Sequence, residues 1–301
     1  MPSREQSILT AVRGYYNSPQ TVSKFSRWGA DAKRPGVSAH HLGLDDVEHF
    51  HRDIVRRSLE IVRHKNAVER MTKLIIAESQ IEDGQSILDS GCGTGSIAFP
   101  IAERNPCAHV FGLSLSRSQL EVARKYQQSA GVRNTYLSEQ NFTRMAFRDG
   151  SFDRVIFAES FCHAPDKRET IVEVNRVLKP GGKVIIIDPI YLKLPPPDQE
   201  PLREVLGSTE GLAMADLPTT EELVGFINDT GMQTEYIHDL TARVRASLAL
   251  IANGYISALV EGRVEPSSLI DSYLAWHMLT EQGPLGYIVL RAFKPPQSTS
   301  R

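Results

Sequence analysis

Short apolar runs that alternate with helical stretches constrain the fold of this chain more than any other feature of its sequence. Five such runs lie at residues 87–88, 109–113, 134–137, 154–158 and 184–187. Between them, apolar residues recur every three to four positions at residues 97–104, 118–130 and 167–178. Strands that alternate with helices in this way form a parallel sheet with helices on both faces. The sequence therefore predicts an α/β fold built on a doubly wound, mostly parallel sheet.

Helical patterns on both sides of this centre indicate how the chain is divided. We predict a helical lid or cap at residues 1–70, a nucleotide-binding core at 71–190, and the remainder of the sheet at 191–301. The last part includes a helical insert at about 241–282 that would cover a substrate. Because ligands of open α/β sheets bind beyond the carboxyl ends of the strands, we expect the chemistry at that edge.

Charge and cysteine content argue against several classes of protein. The 301 residues include 34 Lys and Arg against 36 Asp and Glu, whereas nucleic-acid binding needs a concentrated basic surface. The cysteines, Cys92, Cys107 and Cys162, form no CxxC pair, which argues against a zinc or disulfide framework and favours a reducing compartment. The first ten residues lack the pattern of a signal peptide, and no apolar run approaches the ~20 residues that span a bilayer. We therefore expect a cytoplasmic protein with neither a membrane span nor a nucleic-acid partner.

A glycine-rich loop, LDSGCGTGS at residues 88–96, follows the first predicted strand and opens a helix. Its glycines, Gly91, Gly93 and Gly95, allow a tight turn and a close approach of the backbone to a ligand. A dinucleotide-binding loop would follow the pattern GxGxxG, which requires glycine at position 96, where this chain has Ser96. A loop without a diphosphate to seat suits a ligand with an uncharged ribose and an amino-acid tail, such as S-adenosylmethionine. Alternatively, the loop is a tight turn without a ligand.

Four motifs in a fixed order give the sequence its resemblance to a known family. They are LDSGCGTG at 88–95, GLSLSRSQ at 112–119, MAFRDGSFD at 145–153 and RVLKPGG at 176–182. The set resembles that of the class I S-adenosylmethionine-dependent methyltransferases, which implies a Rossmann-like sheet of seven strands and S-adenosylmethionine as the cofactor. The resemblance also implies that Asp89 orients the glycine loop. The loop residues that it places at the cofactor are Gly91, Cys92, Gly93 and Gly95.

Two positions depart from the pattern of many members of this family. Where they carry an acid for the ribose hydroxyls, at the end of the second strand, this chain has Ser114. Where they carry an acid near the adenine amine, it has Asn141, with Phe142 beside it as a candidate stacking face. The resemblance also places Gln119 and Glu159 at the cofactor. Because hydrogen bonds to a charged group are the stronger ones, we expect a modest affinity for the cofactor.

The amino-terminal segment resembles the lid of one subgroup of the family. The GLSLS motif is similar to that subgroup, which includes cyclopropane fatty acid synthases and the tocopherol, sterol and geranyl diphosphate C-methyltransferases. The resemblance implies that Tyr15 or Tyr16 belongs to a lid, which serves methyl transfer because the reaction needs a dry and aligned site. It also places three residues near the substrate: Trp28, His40 and His41. Alternatively, the aromatic residues only pack an amino-terminal helix.

A carboxylate and an imidazole follow the fourth predicted strand, in the segment ESFCH at residues 159–163. Glu159 and His163 lie at the ligand edge, where either could collect the proton that leaves after a carbon is methylated. We predict that they act together as catalytic residues, with Tyr15 or Tyr16 as further candidates. Alternatively, Glu159 caps the following turn and His163 packs in a loop.

Two further groups of residues bear on what the site binds. Tyr273 and Trp276, in the helical insert, are candidates for covering a hydrophobic substrate or stabilising a carbocation, although they could equally pack in the core or against a second subunit. Four histidines and four acidic residues lie between positions 40 and 53 without the spacing of a known metal site, so we predict no protein-held metal. Mg²⁺ would arrive only with a diphosphate acceptor, bridged by its phosphate oxygens.

Taken together, these features predict an S-adenosylmethionine-dependent methyltransferase that C-methylates a small hydrophobic natural product or isoprenoid-like acceptor in secondary metabolism. A close alternative is an N- or O-methyltransferase on the same scaffold. A more distant one is an NADP-dependent oxidoreductase, in which Arg117 would lie near the 2′-phosphate, and another is a protein that binds the cofactor without catalysis. We expect the chain to form a homo-oligomer, as many soluble proteins do.

Overall fold

The structure is a computed structural model that describes residues 4–17, 57–192, 216–245, 247 and 284–296. In this part of the chain the strands are β1 (Ser86–Ser90), β2 (His109–Ser114), β3 (Thr135–Glu139), β4 (Phe152–Ala158), β5 (Leu178–Tyr191), β6 (Gln233–Asp239) and β7 (Leu285–Phe293). The helices are α1 (Arg4–Asn17), α2 (Arg57–Ser79), α3 (Ala98–Arg104), α4 (Arg117–Ala130), α5 (Lys167–Val177) and α6 (Thr220–Asp229). A short 3₁₀ turn, Phe161–His163, follows β4.

The strands form one sheet in the order β3-β2-β1-β4-β5-β7-β6. Neighbouring strands run parallel except at β7, which is antiparallel to both β5 and β6. The order of the strands reverses between β1 and β4, so a crevice for a ligand is expected beyond their carboxyl ends. The prediction of a doubly wound, mostly parallel, seven-stranded sheet is confirmed.

The central strands are apolar on both faces because helices cover the sheet on each side. Alternate residues therefore enter two separate cores. Leu88 and Ile186 belong to one core, whereas Ile87 and Ile185 belong to the other, and all four side chains are fully buried. Burial of one such side chain stabilises the fold by about 1.5–3 kcal/mol. The sheet therefore gives the loops at its carboxyl edge a rigid support.

The fourth motif spans the end of α5 and the start of β5. Helix α5 ends at Val177, close to the end of the helical pattern at residues 167–178, and β5 begins at the next residue without a turn. Residues 179–182 of the motif lie within β5. The pairing of β4 with β5 shifts there, from Phe152 opposite Leu178 to Arg154 opposite Lys183. The Pro-Gly-Gly segment thus forms an irregularity inside the strand, because the paired segments on both of its sides remain in the sheet.

Other predicted features fall outside the described residues. These are much of the lid or cap predicted over residues 1–70 and most of the insert predicted over 241–282. The division of the chain at residues 70 and 190 stays a prediction. Within the described ranges, none of the helices combines the length and the apolar character needed to cross a membrane.

Candidate active site

A pocket lies at the carboxyl ends of β1, β2 and β4. It is lined by nine residues that the sequence predicts for the site: Asp89, Gly91, Cys92, Gly93, Ser114, Gln119, Phe142, Glu159 and His163. Residues that were not predicted for the site complete its wall: Val12, Ser96, Ile97, Leu115, Ser116, Ala158 and Ser160. The glycine loop, the second motif and the ESFCH segment are therefore brought together in one site.

The glycine loop turns sharply from β1 towards α3 and is tied to β2. The backbone N–H groups of Gly91 and Cys92 both donate to the carbonyl of Leu113, at 2.9 and 2.7 Å. Gly91 has a φ of +90°, and a Cβ at this position would lie 2.4 Å from Cβ of Ser160. Because both the conformation and the space are unfavourable for a side chain, this position requires glycine. The loop backbone is thereby held against the strands that border the pocket.

Two predicted cofactor residues, Gly95 and Asn141, are not among the residues that line the pocket. A Cβ on Gly95 would lie 2.3 Å from the ring of Phe99, so this glycine makes room for the packing of α3. Asn141 Oδ1 accepts a hydrogen bond from the N–H of Thr143 at 3.0 Å, which closes a local turn. Its neighbour Phe142 does line the pocket. Of this pair, the aromatic residue is therefore the one that remains a candidate for contact with a cofactor.

Asp89 is a buried carboxylate at the end of β1, with 2% of its surface exposed. It accepts a hydrogen bond from the backbone N–H of Ala98, the first residue of α3. Its other oxygen, Oδ2, is buried and has no hydrogen-bond partner among the described residues. Burial raises the pKa of Asp89 to about 7, and the hydrogen bond from Ala98 opposes this shift. A buried acceptor in the pocket wall fits a ligand that carries donors, such as the ammonium and ribose hydroxyls of S-adenosylmethionine.

Ser114 and Gln119 form a polar wall at the end of β2. The Ser114 hydroxyl donates to Gln119 Oε1 at 3.1 Å and accepts from the N–H of Ser116 at 3.0 Å. The hydroxyl of Ser116 in turn caps α4 by accepting from the N–H of Gln119. Both side chains that face the pocket here are neutral, so they offer a ribose hydrogen bonds without the strength of a charge.

Glu159 and His163 lie on the loop that follows β4, and both line the pocket. Glu159 has a φ of +52°, a left-handed conformation that is uncommon for residues other than glycine. Its backbone N–H donates to the carbonyl of Ile187 at 2.9 Å, and its Oε1 accepts from the hydroxyl of Tyr287 at 2.6 Å. His163 ends the 3₁₀ turn and is 7% exposed. A carboxylate and an imidazole thus belong to one pocket, where either can accept a proton from a bound ligand.

Asp188, a buried residue of β5, holds the loop after β4 in place. Its Oδ2 accepts from the N–H groups of Ser160 and Phe161 at 3.1 and 2.9 Å, and its Oδ1 accepts from that of Cys162 at 3.2 Å. Burial raises the pKa of Asp188 to about 6, and these hydrogen bonds oppose the shift. Sequence analysis missed this residue. The signal was an acid directly after the apolar run at 184–187, on the strand beside the one that precedes Glu159.

Lys167, in the first turn of α5, holds the same loop by its carbonyl groups. Its buried ammonium donates to the carbonyls of Cys162 and Ala164 at 3.0 and 2.6 Å and lies 5.7 Å from the centre of the Phe161 ring. Burial lowers the pKa of Lys167 to about 8, and the negative groups around it oppose that shift. Asp188 and Lys167 therefore bind the N–H groups and the carbonyls of the loop, respectively, which fixes its path beside the pocket.

The amino-terminal helix α1 closes one side of the pocket. Val12 lines the pocket, and Asn17, the last residue of the helix, accepts hydrogen bonds at Oδ1 from the hydroxyls of Ser116 and Ser118, at 2.9 and 3.0 Å. The last turn of α1 also contains the two tyrosines predicted for a lid. The remaining predicted site residues or side chains lie outside the described residues: the side chains of Tyr15 and Tyr16, and Trp28, His40, His41, Tyr273 and Trp276.

In the part of the chain that the structure describes, no group of three or more His, Cys, Asp and Glu side chains is arranged to hold a metal ion. The residues between positions 40 and 53 lie outside that part. The prediction that the protein holds no metal of its own stays a prediction.

The chain matches the family profile of a methyltransferase domain over residues 81–224, a range that contains all of the predicted motifs. It is also 32% identical over 228 residues to O-methyltransferase resE of Aspergillus sclerotiorum, covering 75% of this chain and 82% of that protein. The chain therefore belongs to the class I S-adenosylmethionine-dependent methyltransferases, and the predicted resemblance is confirmed.

Further relatives share this fold or parts of this sequence. A sterol 24-C-methyltransferase of Gibberella zeae is 29% identical over 80% of this chain and 58% of that protein. Methyltransferase phqN of Penicillium fellutanum is 37% identical over 54% of this chain and 50% of that protein. The chain thus spans only half to three fifths of these two relatives. The solved geranyl diphosphate C-methyltransferase of Streptomyces coelicolor A3(2) superposes over 97% of this chain and all of that chain, with a TM-score of 0.75 at 16% identity, which shows a shared fold.

Proposed function

We propose that this protein transfers the methyl group of S-adenosylmethionine to a carbon atom of a small hydrophobic acceptor of the natural-product or isoprenoid type. One observation carries the proposal: the glycine loop shares its pocket with a carboxylate and an imidazole, Glu159 and His163. Methylation of an unsaturated carbon leaves a centre that must lose a proton. A base beside the cofactor is therefore what this reaction requires of a protein.

The residues on the cofactor side of the pocket have complementary tasks. The glycine loop allows its backbone to approach the ligand, and Asp89 Oδ2 is a buried acceptor for an ammonium or a hydroxyl. Ser114 and Gln119 would bind the ribose by neutral hydrogen bonds, and Phe142 offers a face for stacking. When bound, S-adenosylmethionine supplies an electrophilic methyl group.

We assign removal of the proton to Glu159, because its carboxylate lines the pocket while a hydrogen bond fixes one of its oxygens. His163 is the second proton acceptor in the pocket. Helix α1, which Asn17 ties to the loop after β2, keeps water from one side of the site. The sheet and the loops around it thereby hold an acceptor, remove its proton and limit side reactions with water.

O-Methylation is the second candidate, because resE is named an O-methyltransferase. A hydroxyl acceptor loses its own proton on methylation, and His163 alone can take up that proton. The two candidates therefore differ in their need for Glu159. Loss of its carboxylate stops methylation at carbon and spares methylation at a hydroxyl.

An acceptor with a diphosphate group would bring Mg²⁺ into the site, bridged by its phosphate oxygens. The solved geranyl diphosphate C-methyltransferase was obtained with Mg²⁺ and geranyl diphosphate. EDTA would then stop methylation of a diphosphate acceptor and spare methylation of a neutral terpenoid.

Transfer of an isotopically labelled methyl group to a panel of prenylated and terpenoid compounds tests the proposal, with E159Q and E103Q as matched variants. Glu103 accepts a hydrogen bond from the hydroxyl of Tyr126 at 2.7 Å, as Glu159 does from Tyr287, but it is not among the residues that line the pocket. We expect a C-methylated product from the wild type and from E103Q, and a loss of turnover of about a hundredfold or more in E159Q. Full turnover in E159Q would contradict the assignment of the base, and no labelled product from any acceptor would contradict the proposed function.

A further inference from the structure

We propose that Tyr287, on the antiparallel strand β7, is a positioning residue that aims the Glu159 carboxylate into the pocket and keeps it ionised. The inference rests on the proposed role of Glu159 as the base. Tyr287 belongs to neither the glycine loop nor the four motifs, and it lies 128 positions after Glu159 in the sequence.

Tyr287 is buried and is held at its backbone and at its hydroxyl. The residue is 1% exposed, and its strand pairs with β5, where Pro189 stands opposite Tyr287. Its backbone N–H donates to Oγ1 of Thr241 at 2.9 Å, and its carbonyl accepts from the N–H of Leu240 at 2.7 Å. The phenol hydroxyl at the other end donates to Glu159 Oε1 at 2.6 Å. A rigid donor therefore meets the carboxylate from the protein interior.

Glu159 needs such a partner because its backbone leaves the regular path of β4. The left-handed φ of +52° turns the residue out of the strand, and a conformation of this kind persists where the surroundings determine it. The next residues are held by Asp188, which binds the N–H groups of Ser160 and Phe161. These contacts fix the backbone of the loop, whereas the hydrogen bond from Tyr287 acts on the carboxylate itself.

The charges around the pair favour a lasting hydrogen bond. Burial, together with the negative charges of Glu159 and Asp188, raises the pKa of Tyr287 well above its ordinary value. The hydroxyl therefore keeps its proton at any working pH, and a hydrogen bond donated to a carboxylate favours the ionised form. Among the described residues, the other titratable groups near the pair or its pocket are Asp89, Cys162 and His163, with Lys167 bound to the carbonyls of the loop.

The test compares Y287F with Y126F, because each variant removes a hydroxyl that donates to a glutamate, and only the first of these glutamates lines the pocket. The titration of the Glu159 carboxyl is followed by NMR on protein labelled with ¹³C at the glutamate side-chain carboxyl, with E159Q to assign the signal. In Y287F the titration midpoint of Glu159 should move to higher pH by about one unit. In Y126F it should stay at the wild-type position. The same midpoint in Y287F and the wild type would overturn the proposal.

Turnover supplies a second readout that a merely structural role would not move. In Y287F, the acidic limb of the pH profile of kcat should shift to higher pH with the midpoint, while the affinity for S-adenosylmethionine stays within about twofold of the wild type. An unshifted limb in an active Y287F would also overturn the positioning role. The NMR titration needs no acceptor, so failure of methyl transfer in the wild type would contradict the proposed function alone.

If Y287F does not fold, the same hydrogen bond can be tested from its other end, with the variant E159Q. In E159Q the ¹³Cζ signal of a labelled Tyr287 should shift relative to the wild type, because the charged acceptor of its hydroxyl is gone. In E103Q that signal should stay in place, and the signal of Tyr126 should shift. A Tyr287 signal that does not respond to E159Q would overturn the proposal.

Discussion

The two sides of the pocket are built in different ways. On the cofactor side, the glycine loop is a single run of chain, residues 88–97, whose turn depends on its own glycines and on the adjacent strand β2. The opposite side, the loop at residues 159–164, is held by Asp188, Lys167 and Tyr287, which lie on three different elements. The cofactor can therefore be recognised from a short motif, whereas the position of the base depends on residues far away in the sequence.

The largest effect is expected where the two sides touch, at Gly91. In G91A the new Cβ would lie 2.4 Å from Cβ of Ser160, and the backbone would keep a φ that disfavours alanine. We expect the free energy of unfolding to fall by about 2–5 kcal/mol, and binding of S-adenosylmethionine to be lost. Urea unfolding and equilibrium binding measure the two effects.

The control for this prediction is G225A in α6. Gly225 has a helical conformation and open space around the position of a Cβ, so alanine should leave binding unchanged and stabilise the helix by about 0.5–1 kcal/mol. Wild-type binding in G91A would show that the cofactor side does not depend on the close approach of the two loops.

The second effect is the contribution of Asp89, the buried acid on the cofactor side, to the pH dependence of the free energy of unfolding. The pKa of Asp89 in the folded protein is about 7, above its ordinary value of 3.8, so the folded state binds more protons than the unfolded state between these values. The stability that Asp89 contributes is therefore complete below about pH 4 and is lost as the pH rises to about 7. In D89N, the difference in unfolding free energy between about pH 5 and about pH 7.5 should shrink by about 2 kcal/mol.

Urea unfolding at the two pH values checks this, with D83N as the control, since Asp83 is an exposed residue of a turn. Asp188, with a pKa raised to about 6, adds to the same trend and should remain visible in D89N. Full retention of the wild-type pH dependence in D89N would contradict a raised pKa of Asp89 in the folded protein.

The smallest effect is expected at α1, the helix that closes one side of the pocket. In N17A the hydroxyls of Ser116 and Ser118 lose their acceptor at the end of α1. We expect the affinity for S-adenosylmethionine to fall about fivefold and the free energy of unfolding to change by about 1 kcal/mol or less. The control is T10V, which removes a hydrogen bond within α1 from the Thr10 hydroxyl to the carbonyl of Gln6. Equal affinities in N17A and T10V would mean that the tie between α1 and α4 does not serve the pocket.

Much of the fold follows from the sequence because its signals are local. The apolar runs predict the strands of the parallel sheet, and helix α6 begins at Thr220 because the neighbouring residues Thr219 and Glu222 form a capping box. The local structure of the fourth motif is harder to predict from its sequence. Proline and two glycines usually end a helix and begin a turn, but here β4 pairs with β5 on both sides of this segment and keeps it in the strand.

The residues that line the site could largely be predicted from their motifs, but the residues that hold the loop at 159–164 in place could not. Nine predicted residues line the pocket, and all of them except Phe142 belong to the glycine loop, the second motif or the ESFCH segment, each of which has a fixed place at the edge of the sheet. Gly95 shares the glycine loop but lies against Phe99, because a motif also contains residues that pack its own turn. Asn141, outside these motifs, closes a local turn with Thr143. The sequence marks Asp188 only as an acid after an apolar run and gives no signal for Tyr287, since only the pairing of β5 with β4 and β7 brings the two residues to the loop.

The most direct test of the account is thermal unfolding with S-adenosylmethionine, S-adenosylhomocysteine, NADH and NADPH in parallel. A ligand at 100 times its dissociation constant stabilises a protein by about 2.7 kcal/mol, which raises the unfolding midpoint by several degrees. The account predicts that both adenosyl ligands raise the midpoint of the wild type and not that of G91A, and that the nicotinamide cofactors have no effect. A rise with NADH or NADPH alone, or no rise with any of the four, would contradict it.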